Sequence, residues 1–396
     1  MGTPGRRPDL TLLLVVALVA VNLRHVIAAS APLLPEIRAG LDLSEVEAGA
    51  LTALPVLCFA FIAPIASALA RRLALERVIL LGLVLVTAAT FVRPLGGTGL
   101  LLAGTLVIGA GITLGNVVIP AIVKRDLPHV AAAATATLTG GMCVGAALAA
   151  GLSPVLAAWF GWRWALSLWG ALSLTALLVW VLVMRRRPAS DVPEVPVSGG
   201  VAGGVRLLLR HPVAWAVALY LAAQSWNYLS MTAWLPTYLH DRVGLTAGAG
   251  GAAMSVYQLL GIVGSVVTAP LVRLRRNQVA VAAGVSSCWL LVVLALMFAP
   301  SVWPVWTVIG GVTHGAGITM AMTLIVLRAG SERCAELLSG MVQFVGYGIG
   351  AVAPIVVGAV LGLTGSWTPP LALLAVASVV MLLAGLVAGR SKTVDI

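Results

Sequence analysis

The sequence predicts an all-α membrane protein of twelve transmembrane helices, arranged as two pseudo-symmetric six-helix bundles. Three observations carry this prediction. Of 396 residues, 60% are hydrophobic and only 9% are charged, whereas globular domains run near ~25% charged and ~45–50% apolar. Too few charges remain to cover a surface facing water, which excludes a soluble enzyme, a nucleic-acid-binding domain and a disordered chain. Apolar stretches of ~20 residues, the length that crosses a ~30 Å hydrocarbon core, recur along the whole chain. Short motifs of the first half also return in the second at a nearly constant offset.

Taken in order, the apolar segments lie at about residues 10–36, 45–70, 77–93, 98–123, 131–157, 163–184, 213–239, 246–272, 278–299, 302–327, 334–362 and 369–389. The first is too long, and too polar at its centre, for a cleaved signal peptide. Pro55, Pro64, Pro120, Pro154, Pro270 and Pro354 fall inside spans. Membrane helices tolerate this because neighbouring helices satisfy the freed backbone groups again. Cys58, Cys143, Cys288 and Cys334 are scattered in apolar surroundings and read as small buried hydrophobes, neither a disulfide framework nor a metal site.

With the N-terminus inside, 19 of the 24 lysines and arginines fall on the inner side, among them Arg71, Arg72, Lys124, Arg125, Arg273, Arg275 and Arg276. The positive-inside rule then puts both termini in the cytoplasm. It also explains the net charge of +11 without an acidic partner or nucleic acid. Trp159, Trp162, Trp164, Trp303, Trp306 and Trp367 gather at the predicted outer helix ends, as an interfacial belt does.

The one long polar connection, rich in Pro, Ser and Gly, divides the chain into a bundle at 1–187, a cytoplasmic linker at 188–212 and a bundle at 213–396. The two bundles look related. Gly109-Ala110-Gly111-Ile112-Thr113 returns as Gly315-Ala316-Gly317-Ile318-Thr319, Pro35 matches Pro236, and Trp162 matches Trp367.

Polar side chains inside spans are expensive and therefore candidate functional positions. No Asp or Glu lies near a span centre; the deep ionisable groups are Arg24, His25 and His314. A cavity whose fixed charge is positive suits an anion or an electron-rich neutral ligand. In span one, Asn22, Arg24 and His25 share a sector of roughly 160° at ~100° per residue. Arg24 has no intramembrane acid, and its planar fork of donors matches a carboxylate or similar anion; the alternative is that it ties to backbone carbonyls. Span seven presents Gln224, Asn227, Tyr228 and Met231 on one stripe, and span eleven Gln343, Gly346, Tyr347 and Gly350. Gln258 in span eight and Asn116 in span four extend the set. Convergent amides suggest a polar cavity, with interhelical hydrogen bonding as the alternative. For Thr113, Ser255 and Ser265 helix packing is the preferred reading. His25 and His314 are candidates for proton coupling, with Glu36 as a more remote one.

With these residues identified, the chain resembles the cyanate-permease branch of the major facilitator superfamily, which includes cyanate and 2-nitroimidazole transporter-like proteins. The matching motifs are Asn22-Leu23-Arg24 with Pro32-Leu33-Leu34, Gly115-Asn116-Val117-Val118-Ile119-Pro120 followed by Lys124-Arg125-Asp126, and Gly161-Trp162-Arg163. Gln224-Ser225 with Ala233-Trp234-Leu235-Pro236, Gln258-Leu259-Leu260-Gly261-Ile262, and Leu338-Ser339-Gly340-Met341 with Gln343 and Gly346-Tyr347 continue it. Two departures stand out. Arg71 and Arg72 follow span two without the superfamily's Asp, and His314 stands where many relatives are expected to carry glutamine.

The expectation is therefore a bacterial inner-membrane secondary transporter, not an enzyme, working by alternating access without cofactor or metal. Its substrate would be a small organic or inorganic anion or a small polar heteroaromatic compound, and a monomer embedded in lipid is expected. Arg24 would bind the electron-rich pole of the ligand. Asn22, Asn116, Gln224, Asn227, Gln258 and Gln343 would complete the cage, with His25, His314, Tyr228 and Tyr347 shaping it. Arg71, Arg72, Arg273, Arg275 and Arg276 would serve cytoplasmic gating. The alternative is a drug or metabolite exporter of the same superfamily; the Gly141-Met142-Cys143-Val144-Gly145 run echoes an antiporter motif but lacks its proline.

Overall fold

The computed structural model describes residues 10–127, 130–185, 206–273 and 277–394. Helices follow one another as α1 Leu10–Asn22, α2 His25–Ala28, α3 Leu34–Leu41, α4 Glu45–Phe61, α5 Ala63–Arg72, α6 Leu75–Val92 and α7 Thr98–Asp126. They continue as α8 Ala131–Arg185, α9 Pro212–Val243, α10 Ala247–Arg273, α11 Val279–Phe298, α12 Trp303–Arg328, α13 Glu332–Thr364 and α14 Thr368–Ala388. The described residues form no strand; Ala329 and Val394 make one isolated bridge. Most of the predicted linker, residues 188–205, lies outside the described residues.

Nine stretches of the described residues are long and apolar enough to cross a membrane, ten if the bent pair α4–α5 counts as one. Two features separate this count from the sequence-based twelve. The 55 residues of α8 run as one helical stretch, interrupted at Gly161 (φ 78°, ψ 159°). Glycine enters that region without a Cβ clash, and 55 residues at 1.5 Å each amount to about 80 Å, far more than one crossing. The other is α9, whose Gln224, Ser225, Asn227, Ser230 and Thr232 lower its hydropathy although all are buried. Most of its side chains are covered by other helices, with Trp215 and Leu219 among those left exposed.

Proline accounts for the bend in the second span. α4 and α5 meet at 48°, and Pro64 occupies the first turn of α5, where the missing N–H costs no hydrogen bond. Span one is more broken still. α1 stops at Asn22, α2 is one turn long, a 3-10 turn covers Ala31–Leu33, and Pro35 sits in the first turn of α3.

Packing pairs α10 with α12, α9 with α13 and α14, α4 with α13, α8 with α10, and α6 with α7. Lipid tails are as apolar as leucine, so helices associate through close van der Waals contact and hydrogen bonds. At the α10–α12 crossing a methyl on Gly264 would run into the Val312 carbonyl, and one on Gly315 into that of Gly261. Ser265 Oγ donates to the Gly315 carbonyl across the same seam at 3.1 Å, and Ser255 Oγ donates to that of Ala147 at 2.6 Å, joining α10 to α8.

One end of the molecule carries two matching clasps. Arg125, at the end of α7, donates to Glu76 in the first turn of α6 at 2.5 Å and to Asp126 at 2.7 Å. Asp126 and Glu76 push the Arg125 guanidinium further into its charged range. Arg328, at the end of α12, donates to Gln278 just before α11 and to the Ala388 carbonyl at 2.8 Å. The partners recur at offsets of 202 (278 − 76) and 203 (328 − 125) residues, close to the offset of the sequence motifs.

Candidate functional site

The break in span one presents Arg24. Its backbone (φ −133°, ψ −31°) leaves the helix between α1 and α2, and the interruption frees carbonyls that need new donors. Two buried side chains supply them. His25, fully buried, has Nδ1 3.2 Å from the Val21 carbonyl, with Nε2 3.4 Å from Ser173 Oγ and 3.3 Å from the Trp169 carbonyl. A neutral imidazole has one N–H to give, which serves the Val21 carbonyl from Nδ1 or the Trp169 carbonyl from Nε2, and Ser173 can donate to Nε2 when the proton is on Nδ1. Arg93, only 1% exposed, donates to the Val26 carbonyl at 3.1 Å and Thr105 Oγ1 at 3.4 Å. The helical partner of that carbonyl, the Ser30 N–H, is turned to Ile27 instead.

With its backbone held this way, Arg24 reaches toward α9. Its Nη1 donates to the Tyr228 hydroxyl at 2.9 Å, and the guanidinium carbon lies 5.6 Å from the centre of the Tyr228 ring. No acid pairs with Arg24 among the described residues. A guanidinium carries five N–H groups, so most of its donor capacity stays open. Tyr228 Oη in turn donates to Gln258 Oε1 at 3.5 Å.

Behind Tyr228 stands a column of rings. His314 stacks on Tyr228 with centroids 4.5 Å apart and planes 15° from parallel; Tyr257 stacks with His314 at 5.3 Å and 16°. His314 Nε2 is buried and has no hydrogen-bond partner among the described residues. Tyr347 and Cys143 lie within reach of the Arg24 charge. Tyr347 meets Phe59 edge-on at 6.2 Å, and both Tyr228 and Tyr347 pack on a small apolar cluster of Val56, Leu229 and Ala351. Residues from α4, α9, α10, α12, α13 and the span-one break thus converge.

The structure brings Arg24, Tyr228, Gln258, His314 and Tyr347 together, and turns other expected site residues elsewhere. His25 faces Trp169 and Ser173. Gln224 donates to the His314 carbonyl at 3.0 Å and accepts from Trp289 Nε1 at 2.7 Å. Asn227 donates to Ser378 at 2.9 Å, and Asn22 to the Leu18 carbonyl at 2.9 Å. Gln343, half-buried, donates to Ser339 at 2.7 Å. Asn116 is half-buried and makes no hydrogen bond among the described residues; its neighbour Gly115 packs on Leu23, which places it beside the break. Glu36 is exposed on α3. Of the gating arginines, Arg72 is exposed, Arg71 lies in α5, Arg273 ends α10, and Arg275 and Arg276 lie outside the described residues.

Tyr257 and Arg93 escaped the sequence reading. Tyr257 precedes Gln258 and is not singled out, because nothing in its span sets it apart from its apolar neighbours. Arg93 ends an apolar run and reads as a charge on the outer flank; its burial depends on Thr105 and Val26, which are remote in sequence.

The family model described as Major Facilitator Superfamily matches residues 12–354. The chain is 36% identical to an uncharacterized transporter, YycB, of Bacillus subtilis (strain 168), over 94% of this chain and 92% of that one. It is 35% identical to the 2-nitroimidazole transporter of Escherichia coli (strain K12), over 96% of this chain and 95% of that one. Among solved structures, the nucleoside transporter NupG superposes with a TM-score of 0.79 at 14% identity, covering 96% of this chain and 100% of that one. The chain belongs to the Major Facilitator Superfamily and is a transporter, not an enzyme.

Proposed function

We propose that this transporter carries a small planar anion or a polar heteroaromatic compound by alternating access, with Arg24 as the anchor for the electron-rich pole. One observation supports this most: a guanidinium inside an apolar bundle donates to one phenol and faces no protein acid among the described residues. Charges in such a place are costly unless matched, and a carboxylate, cyanate or nitro group offers the acceptors that a guanidinium fork fits. The Tyr228 ring, backed by His314 and Tyr257, adds a flat aromatic face on which a planar ligand packs. A relative named for 2-nitroimidazole fits that pairing of an electron-rich group with an aromatic ring.

In this reading α8 is two spans broken at Gly161, α9 is a span, and the total is twelve. The bundles at 1–187 and 213–396 and the cytoplasmic termini follow, in a bacterial inner membrane, with the protein acting as a monomer. The bundles touch through backbone at the end holding Glu45 and Gly358, and through Ser255 and Ala147. The contact between α4 and α13 continues away from that end to Phe61 and Phe344, whose rings meet edge-on at 6.5 Å.

The test is uptake into proteoliposomes holding the purified protein. Preloaded cyanate or 2-nitroimidazole should exchange with labelled external compound in wild type and not in Arg24→Ala. Equal exchange in both proteins would overturn the reading.

A further inference from the structure

We infer that the Tyr228 hydroxyl is a stand-in ligand for Arg24, which the substrate must displace. This rests on the reading of Arg24 as the substrate anchor. Three observations lead to it. First, the bond is a cation to a neutral phenol at 2.9 Å. An acceptor that is itself anionic makes a shorter and stronger bond to the same guanidinium, so an incoming anion prevails over the phenol.

Second, the exchange leaves nothing stranded. Tyr228 Oη already points its proton at Gln258 Oε1, at 3.5 Å, a distance with room to tighten to the ~2.7–2.8 Å of an ordinary O–H···O bond. Losing Arg24 therefore costs the phenol an incoming hydrogen bond but no partner for its own proton.

Third, the two participants differ in how firmly they are held. The Tyr228 ring is stacked on His314 with planes 15° apart, and His314 is backed by Tyr257. Arg24 is a long side chain at a helix break, held through its backbone neighbours by His25 and Arg93. The guanidinium is the part that moves. Its bond to Tyr228 joins the break in span one to α9, that is, one proposed bundle to the other. Substrate arrival exchanges a bond between bundles for a bond to cargo, which makes occupancy and bundle movement one event. The same hydroxyl competes with the substrate and so weakens apparent binding.

The sign of one substitution decides. Tyr228→Phe keeps the ring and its stacking and removes only the competitor. Binding of cyanate, nitrate and 2-nitroimidazole to the full chain in nanodiscs would be measured by calorimetry for wild type, Tyr228→Phe and Arg24→Ala, with ligand-free thermal unfolding as a fold control. Tyr228→Phe should bind the responding probes about tenfold more tightly, the scale of one hydrogen bond to a charged group. Its turnover in proteoliposomes should fall, because release loses its competitor; a lower KM with a lower kcat is the expected pairing. A probe that binds Tyr228→Phe but not wild type supports the inference equally. Weaker or unchanged binding in Tyr228→Phe, with binding lost in Arg24→Ala, overturns the inference and leaves Arg24 as the anchor. Binding retained in Arg24→Ala, or no binding of any probe to any of the proteins, overturns both.

Discussion

The imidazole of His314 rests on the backbone of Gly261: a methyl group at that glycine would run into Nε2 and lie 3.0 Å from Cδ2. The absence of a side chain on α10 is what lets His314 lie flat between Tyr228 and Tyr257. Gly261→Ala should push the ring out of the column and destabilise the protein by ~1–3 kcal/mol, the usual cost of overpacking. Because the two positions touch, Gly261→Ala and His314→Ala should be non-additive, with the double variant more stable than the sum of the single effects. Thermal unfolding of the four proteins checks this.

Arg93 holds the break rather than the ligand. Arg93→Ala leaves the Val26 carbonyl without a donor in a buried place and should lower stability by ~1–3 kcal/mol. Probe binding should weaken along with it, because the segment carrying Arg24 loosens. Arg93→Lys keeps a donor and should recover part of both losses, which calorimetry and unfolding would follow together.

Amides that look alike in sequence should separate in experiment. Gln224 is bonded to both the His314 carbonyl and the Trp289 N–H; the carbonyl keeps its helical partner within α12, so Gln224→Leu orphans the buried indole N–H and should lower stability by ~1–3 kcal/mol. Asn116 makes no hydrogen bond among the described residues. Asn116→Ala should unfold within about 0.5 kcal/mol of wild type and yet weaken probe binding.

The clasp of Arg125 and Glu76 should tolerate neutralisation of its acid, because its counterpart joins Arg328 to the amide of Gln278. Both ends of the Arg125–Glu76 pair are partly solvent-exposed. Glu76→Gln should therefore cost under about 1 kcal/mol in thermal unfolding, whereas Arg328→Ala, which strips partners from Gln278 and the Ala388 carbonyl, should cost more.

How much of this was legible in the sequence follows from what each feature depends on. The helical segments were legible, since runs of apolar residues bounded by arginines state their own length. The turn inside α8 was legible as the gap between the apolar segments at 131–157 and 163–184, and the structure puts its break at Gly161. Arg24 was legible as an unmatched charge, and Tyr228 and Gln258 as its neighbours on stripes. The fate of Gln224 was not, since Trp289 is 65 residues away and has no periodic relation to it. His25 stood next to Arg24 in sequence, but the break turned it toward Trp169. Arg93 was misplaced because a charge at the end of an apolar run normally meets water, and only Thr105 and Val26 draw it inward. Pattern reports local structure; partners across helices come from packing.

The most direct test of Arg24 as the anchor is thermal stabilisation of the purified protein by cyanate, nitrate and 2-nitroimidazole. A ligand at a hundred times its Kd adds ~2.7 kcal/mol of stability, which a melting curve resolves. Wild type should be stabilised by at least one of these compounds, and Arg24→Ala, folded and melting near wild type without ligand, should not respond. The same stabilisation in Arg24→Ala as in wild type would contradict it.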